Sequence, residues 1–372
     1  MELWIVVLAV TLALCLICFI FLVSRFAKFQ IIKSLADGKG AIRYVISFFV
    51  VLIGGAVSYF LLGAVNTAVI FIHLTIIWIV CGIVGKKLGG KDRPPWGFYW
   101  VGIFAIGLTA AYLALGVNYN YKAVETDYKL ATDKALGDLK VAMIADSHLG
   151  TTFDAKGFEK YLQAIEKKNP DLLVIAGDFV DDETDRKDME AACQALGKFK
   201  SKYGVFFAYG NHDKGYFRYR DFTDEDLKYS LGRNSVKILE DQSILVDNRF
   251  YVVGRADKYM ELADDTVART NIKALTRDLD KDKYKIVIDH QPGDFNTEAE
   301  AGVDLVLSGH THGGQMYGMD VVMRFTRQND LLYGYERRAS TDFIVTSGLS
   351  DWAMKFKTCH KSEYVMVDIK GK

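Results

Sequence analysis

From Tyr44 to Gly85 the chain runs for 42 residues without one Asp, Glu, Lys or Arg. A helix needs about 20 apolar residues to cross roughly 30 Å of hydrocarbon. Two spans therefore fit in this stretch, with a tight turn near Gly63-Ala64-Val65-Asn66. Leu3 to Ser24 adds 22 uncharged residues and Pro94 to Tyr121 another 28. The expectation is four transmembrane helices, at about 3–23, 44–63, 66–85 and 97–117, in a membrane domain of residues 1–121. The start Met1-Glu2-Leu3-Trp4 has no basic n-region, and its apolar run outlasts a signal-peptide h-region, so the first helix is expected to be retained.

Orientation follows from Lys and Arg, which collect on the cytoplasmic side. Arg25, Lys28, Lys33, Lys39 and Arg43 follow the first helix, and Lys86, Lys87, Lys91 and Arg93 follow the third. The N-terminus and the turn between helices 2 and 3 carry none. This predicts a multi-pass protein of the cell membrane, with everything after helix 4 on the extracytoplasmic side. Within the bundle, His73 reads as a residue making an interhelical hydrogen bond. Cys15 and Cys18 read as packing residues despite their C-x-x-C spacing.

The chain as a whole is neutral, with 46 Lys+Arg against 46 Asp+Glu. Residues 1–121 hold nine basic and three acidic residues, so the remainder is mildly acidic. That argues against nucleic acid as a partner, which normally requires a basic surface.

Residues 122–138 form a polar connector that includes the first edge of a second domain, residues 139–372. There one pattern recurs: a short apolar run, then at once a cluster of metal-capable residues. Val141–Ala145 leads into Asp146-Ser147-His148, Leu172–Ala176 into Gly177-Asp178, and Val205–Tyr209 into Gly210-Asn211-His212-Asp213. Ile286–Ile288 leads into Asp289-His290-Gln291-Pro292, and Leu305–Leu307 into Ser308-Gly309-His310-Thr311-His312. Such runs read as strands buried on both faces. The polar stretches 157–168 and 185–200 between the earlier ones are helix-compatible, which predicts an α/β domain with a largely parallel central sheet. Ligands bind at the carboxyl ends of such strands.

Five of the seven histidines lie in these clusters. Asp146, His148, Asp178, Asn211, His290, His310 and His312 exceed what one tetrahedral ion needs and suit two ions sharing a carboxylate. A mixed N/O donor set fits zinc, manganese or iron, and no cysteine lies in these clusters to build a closed structural zinc site.

In their order, Asp-x-His, Gly-Asp, Gly-Asn-His-Asp, a later His and Gly-His-Thr-His resemble the calcineurin-like metallophosphoesterase superfamily. Within it the chain is most similar to bacterial membrane-anchored or exported YkuE/YaeI-like phosphoesterases. The match extends through Gly254-Arg255-Ala256-Asp257, Gly313-Gly314-Gln315 and Thr346-Ser347-Gly348. The resemblance implies a four-layer α/β/β/α sandwich, whose second sheet Ser243–Val246, Phe250–Val253, Phe343–Val345 and Tyr364–Ile369 could supply. It also implies that Asp146, His148 and His312 hold one divalent ion, that Asn211, His290 and His310 hold a second, and that Asp178 bridges them. His212 would be no ligand but the acid facing the leaving group.

The expected activity is hydrolysis of a phosphomonoester, phosphodiester or pyrophosphate by direct attack of a metal-bridging hydroxide. Asp213 is a candidate to orient His212, with a plain helix-capping or loop role equally open, and Asp181 is a candidate neighbour of the site. Tyr216, Phe217, Tyr219 and Arg220 are candidates for a rim over the substrate. Membrane lipid is an expected partner, and the outward domain points to a lipid-linked or cell-envelope phosphoester. The alternative class is a non-catalytic membrane receptor or assembly protein that uses the metal domain for binding.

Overall fold

The computed structural model describes residues 2–88, 98–215, 220–260 and 268–372. Lys91 and Arg93, the expected start of helix 4 at residue 97, and Tyr216, Phe217 and Tyr219 lie outside the described residues. The chain divides into two units, Met1–Val117 with Ala353–Phe356, and Asn118–Trp352 with Lys357–Lys372.

The first unit holds α1 (Glu2–Phe26), α2 (Gln30–Leu35), α3 (Gly40–Leu88) and α4 (Trp100–Tyr121). Among the described residues three helices, α1, α3 and α4, are long and apolar enough to cross a membrane, where the sequence reading expects four. The second and third expected spans form the single segment α3, broken at Gly63 (φ 83°, ψ 174°). Glycine adopts that positive φ without a Cβ clash. Across the break, Ser58 Oγ and Thr67 Oγ1 lie 2.9 Å apart, and the Phe71 ring packs against Gly55. In an unbroken helix those last two residues would stand about 24 Å apart, so the two halves of α3 run back alongside each other.

Leu22, Val51, Trp78 and Ala105 make the small buried centre of this unit. Most other apolar side chains, such as Ile53, Phe60 and Phe104, point outward, as suits helices surrounded by hydrocarbon. The interhelical hydrogen bond expected of His73 is replaced by a ring contact. Its Nδ1 donates to Val69 O of its own helix (2.8 Å), and its ring stacks on Tyr112 of α4.

The second unit contains twelve strands among the described residues. They are β1 (Val124–Ala131), β2 (Asp138–Ile144), β3 (Leu172–Ala176), β4 (Val205–Ala208), β5 (Lys237–Ile238), β6 (Gln242–Val246), β7 (Phe250–Gly254), β8 (Tyr284–Ile288), β9 (Leu305–Ser308), β10 (Gly334–Arg338), β11 (Thr341–Val345) and β12 (Glu363–Lys370). Its helices are α5 (Ala155–Glu166), α6 (Arg186–Lys198), α7 (Asp224–Arg233), α8 (Ile272–Thr276), α9 (Phe295–Glu300) and α10 (Met319–Thr326). The strands form two mixed six-stranded sheets, ordered β1-β12-β2-β3-β4-β5 and β10-β11-β9-β8-β7-β6.

Period-2 alternation explains why the apolar runs are unbroken. Val141 and Met143 of β2, Leu172 and Val174 of β3, Ile286 and Ile288 of β8, and Leu305 and Leu307 of β9 meet between the sheets. Ala142, Ile144, Leu173 and Ile175 face the other way, onto Phe158, Leu162 and Ile165 of α5 and Met189 and Leu196 of α6. Val287, Val306 and Phe343 face Ile272 of α8 and Phe295 of α9. The layers therefore run helices, sheet, sheet, helices.

Two expectations are corrected. The five metal-bearing strand ends do not share one central sheet: β2, β3 and β4 belong to the first and β8 and β9 to the second. The closing strand, expected in the second sheet, is β12 of the first, parallel to β1 and antiparallel to β2. Its Val365, Val367 and Ile369 enter the inter-sheet core while Tyr364 and Met366 pack toward the helices. A strand apolar on both faces needs an interior position, and β1 takes the edge instead.

Candidate metal centre

Three of the five metal-bearing strands, β2, β3 and β9, end in an abrupt left-handed turn. Asp146, His148, Asp178, His310 and His312 all take positive φ, from 37° to 70°. Left-handed backbone at a non-glycine residue costs of order 1–3 kcal/mol and collects at functional sites. The glycines beside them provide clearance. A methyl group on Gly210 would stand 2.2 Å from Asp178 Oδ1, and one on Gly309 2.5 Å from Asp146 Oδ2. The glycine in Gly-Asn-His and in Gly-His-Thr-His is therefore the space that a neighbouring carboxylate occupies.

All seven predicted ligand residues converge. Asp146, His148 and His312 form one group whose ligand atoms lie within 4.8 Å of one another, and Asp178, His290 and His310 form a second. Asp178 Oδ2 is 3.1 Å from His290 Nε2 and 3.7 Å from His148 Nε2, so it stands between the groups. Asn211 Oδ1 lies 3.0 Å from His310 Nδ1. The His310 backbone N–H donates to both oxygens of Asp146 (2.9 and 3.1 Å). The His212 N–H donates to Asp178 Oδ1 (2.8 Å).

Outer partners orient the rings. His290 Nδ1 donates to Ala176 O (2.8 Å), which turns Nε2 toward Asp178. Asp181 holds two imidazoles, with Oδ2 2.9 Å from His148 Nδ1 and Oδ1 3.1 Å from His212 Nδ1. The Asp213 carboxylate meets backbone amides of the neighbouring loops. Its Oδ1 accepts from the N–H groups of Phe179 and Val180 (2.9 and 3.1 Å) and its Oδ2 from Gly210 (2.8 Å), so it braces the Asp178 and Asn211 loops against each other. Arg220, expected at a substrate rim, instead donates to Asp213 O (2.7 Å) and pairs with Asp224 Oδ1 (2.6 Å).

Three neighbours of the site escape the sequence reading. Asp351 Oδ1 lies 3.3 Å from His312 Nδ1 and accepts from Gln315 Nε2 (2.7 Å). The Trp352 ring packs on His212 with centroids 5.2 Å apart. Lys357 is fully buried, its Nζ donating to Ser347 O and Ser350 O. The signal was present, since Ser350-Asp351-Trp352 follows closely on the apolar run of β11 and repeats the rule used for the other five strands. Arg255, within a motif that carries the resemblance, is structural. It is buried and bonds Asp289 (2.8 Å) and Asp294 (2.9 Å) behind the His290 loop.

The electrostatics fit cations. Burial works against a charged His148, but Asp181, Asp178 and Asp146 outweigh it and raise the imidazole to about 9. His290 is likewise raised well above its usual range, against burial, chiefly by Asp178. Burial and His290 press His310 down to about 3, while burial and His148 lower His312. Burial raises Asp146 and takes Asp351 up to about 6. Asp178 and Asp181 stay below the carboxylate range despite burial, held there by imidazoles. The cluster thus draws positive charge onto two imidazoles among buried carboxylates, and divalent ions would supply that charge in their place. The buried Nε2 of His148 has no hydrogen-bond partner, and that of His290 faces only the Asp178 carboxylate among the described residues, as metal-facing nitrogens would. The residues present fit a metal centre.

Buried strand-end carboxylates and imidazoles from two facing sheets form a candidate metal centre of the kind a metallophosphoesterase carries. Residues 139–314 match the calcineurin-like phosphoesterase family, and that match together with relatives named metallophosphoesterases supports a phosphoesterase hydrolase. The chain is 28% identical over 309 residues to an uncharacterized metallophosphoesterase of Campylobacter jejuni, covering 80% of this chain and 78% of the relative. It is 24% identical to a transmembrane protein with metallophosphoesterase domain of Danio rerio, covering 77% and 67%. To the uncharacterized metallophosphoesterase YkuE of Bacillus subtilis it is 23% identical, covering 71% and 94%.

Proposed function

We propose that the protein is a membrane-anchored, two-metal phosphoesterase whose catalytic domain faces away from the cytoplasm. The observation that carries the reading is Asp178, whose Oδ2 is approached by Nε2 of His148 from one ligand group and of His290 from the other. Asp146, His148 and His312 would hold one ion and Asn211, His290 and His310 the second, with Asp178 shared. When bound, two such ions activate a water near neutral pH and neutralise charge on the phosphoryl oxygens.

The chain's own residues supply the rest. The His212 N–H fixes Asp178 Oδ1, so the shared carboxylate keeps its orientation. Asp181 anchors His212 Nδ1 and Trp352 packs on the ring, which holds the imidazole as the acid that hands a proton to the departing oxygen. General-acid catalysis of this kind is typically worth about 10²–10⁴ in rate.

The anchor reading treats α3 as a helical hairpin turning at Gly63, which with α1 and α4 makes four spans. Basic residues at Arg25 to Arg43 and Lys86 to Arg93, with none near the turn, support an extracytoplasmic domain. Substrates would then be envelope or lipid-linked phosphoesters. The test is hydrolysis of an aryl phosphodiester and monoester by the purified full-length protein. Extended chelation should abolish it and Mn²⁺ restore it, with close to two ions per chain by metal analysis. Full activity in a rigorously metal-free sample would overturn the reading.

A further inference from the structure

Helix α10 turns its apolar side the wrong way for a soluble domain. With 3.6 residues per turn, Met319, Val321, Val322, Met323 and Phe325 share one broad face, and Asp320 and Arg324 lie opposite. A surface helix normally packs such a face on the core, yet no residue of α10 is buried. Phe325 is 89% exposed, Val321 62% and Val322 61%, and Tyr317 just ahead of the helix is 65% exposed. From Val124 onward, nine large apolar side chains are exposed among the described residues, and five of them fall between Tyr317 and Phe325. That is a patch, not the usual scatter.

We infer that this face seats in the interface of a lipid bilayer, and that α10 thereby brings the His310–His312 loop to phosphoesters at headgroup level. The chain itself points to a bilayer as the occupant. Helix α4, apolar enough to cross a membrane, ends at Tyr121, and β1 starts at Val124. The two residues between span at most about 7 Å, so only a short tether separates the first strand from the end of an apolar helix.

The composition agrees. Apolar and aromatic side chains beside Arg324 and Arg327 combine insertion with attraction to lipid phosphate, the pattern of interfacial helices. The one acidic residue of the helix, Asp320, accepts from the Gly318 N–H (2.9 Å).

Helix α10 is also tied to the metal loop. Gly314, two residues after His312, abuts Asp320 so closely that a methyl group there would stand 2.7 Å from Asp320 Cβ. Met319 and Asp320 N–H groups both donate to Met316 O (3.0 and 3.3 Å). A bilayer holding α10 therefore sets the depth of His312. This presentation of substrate rests on the phosphoesterase reading above, and the seat itself does not.

The test uses the full-length protein in liposomes of phosphatidylcholine and phosphatidylglycerol, with native cysteines replaced. A bimane probe at Phe325→Cys is compared with one at Tyr229→Cys, exposed on α7, using lipids that carry a doxyl quencher high on the acyl chain. The expected result is a blue shift and stronger quenching at 325. Equal quenching at both positions overturns the seat. So does a blue shift at 325 without lipid quenching, which would mean that a second copy, another protein or the chain's own helices cover the face.

In a second arm, Val322→Asp/Phe325→Asp should keep aryl phosphoester hydrolysis and lose roughly tenfold or more on phosphatidic acid in vesicles. Unchanged vesicle activity, or equal loss on both substrates, overturns the presenting role. If the parent protein hydrolyses neither ester, the phosphoesterase reading fails while the quenching still decides the seat.

Discussion

Asp181 places one carboxylate oxygen 2.9 Å from His148 Nδ1 and the other 3.1 Å from His212 Nδ1. One side chain thus orients both a proposed metal ligand and the proposed acid. Asp181→Asn keeps the shape but serves only one imidazole as acceptor. Such outer partners typically cost about 10–100-fold in affinity or activity. The expected outcome is a loss in kcat of that size, with weaker metal retention on dilution. Unchanged turnover and metal content would remove Asp181 from the mechanism.

His212 and Asp178 should separate chemistry from metal binding. His212→Ala is expected to retain both ions and lose about 10²–10⁴ in kcat. Asp178→Ala removes the carboxylate between the two groups and should lose ions as well as activity. Metal analysis beside single-turnover rates distinguishes the two, and an empty His212→Ala with a full Asp178→Ala would reverse the assigned roles.

Gly309 is held to glycine by space. Its substitution to Ala puts a methyl group 2.5 Å from Asp146 Oδ2, so Gly309→Ala should lower metal occupancy while circular dichroism stays unchanged. Gly302 is the control, with φ 68° and nothing within 4 Å of an added methyl. Gly302→Ala should cost about 1 kcal/mol of stability from the left-handed backbone and leave activity intact.

Arg255 is buried against Asp289, Asp294 and Glu298. Removing one partner of a buried ion pair costs about 3–5 kcal/mol because the other charge is stranded. Arg269 also reaches Asp289 (2.9 Å), so Arg255→Ala should fall toward the lower end. A depressed Tm with an unaltered pH–rate profile is the expected signature, and a shifted profile at normal Tm would give Arg255 a role in the chemistry.

Sidedness can be read with a membrane-impermeant thiol reagent on intact cells. Asp133 and Lys39 are exposed and suit single cysteine substitutions, whereas Ala36 is buried and would be spared for packing reasons alone. Native Cys193 is buried, with burial pushing its thiol up to about 12, so it should stay silent. Burial likewise raises half-buried Cys359 to about 11. Labelling of Asp133→Cys but not Lys39→Cys supports the extracytoplasmic domain, and the reverse pattern places the enzyme in the cytosol.

Elements whose cause is local can be read along the chain. Uncharged length marked the apolar helices, and Gly63 marked the break in α3. Unbroken apolar runs ending in Asp, Asn or His marked β2, β3, β4, β8 and β9 together with all seven proposed ligands. A strand buried on both faces and a left-handed exit turn each leave a signature within a few residues.

Sheet membership was decided only in three dimensions. Whether β12 pairs with β2 or joins the second sheet depends on which interior slot is open, and no stretch of ten residues encodes that. The same holds for the inner braces. Asp181 and Asp213 are both strand-end acids, yet one grips two imidazoles and the other caps loop amides, because only the packed loops set which donors lie within hydrogen-bond reach. Asp351, Trp352 and Lys357 reach the site through a loop after β11, and His312 and His212 become their neighbours only once the two sheets face each other.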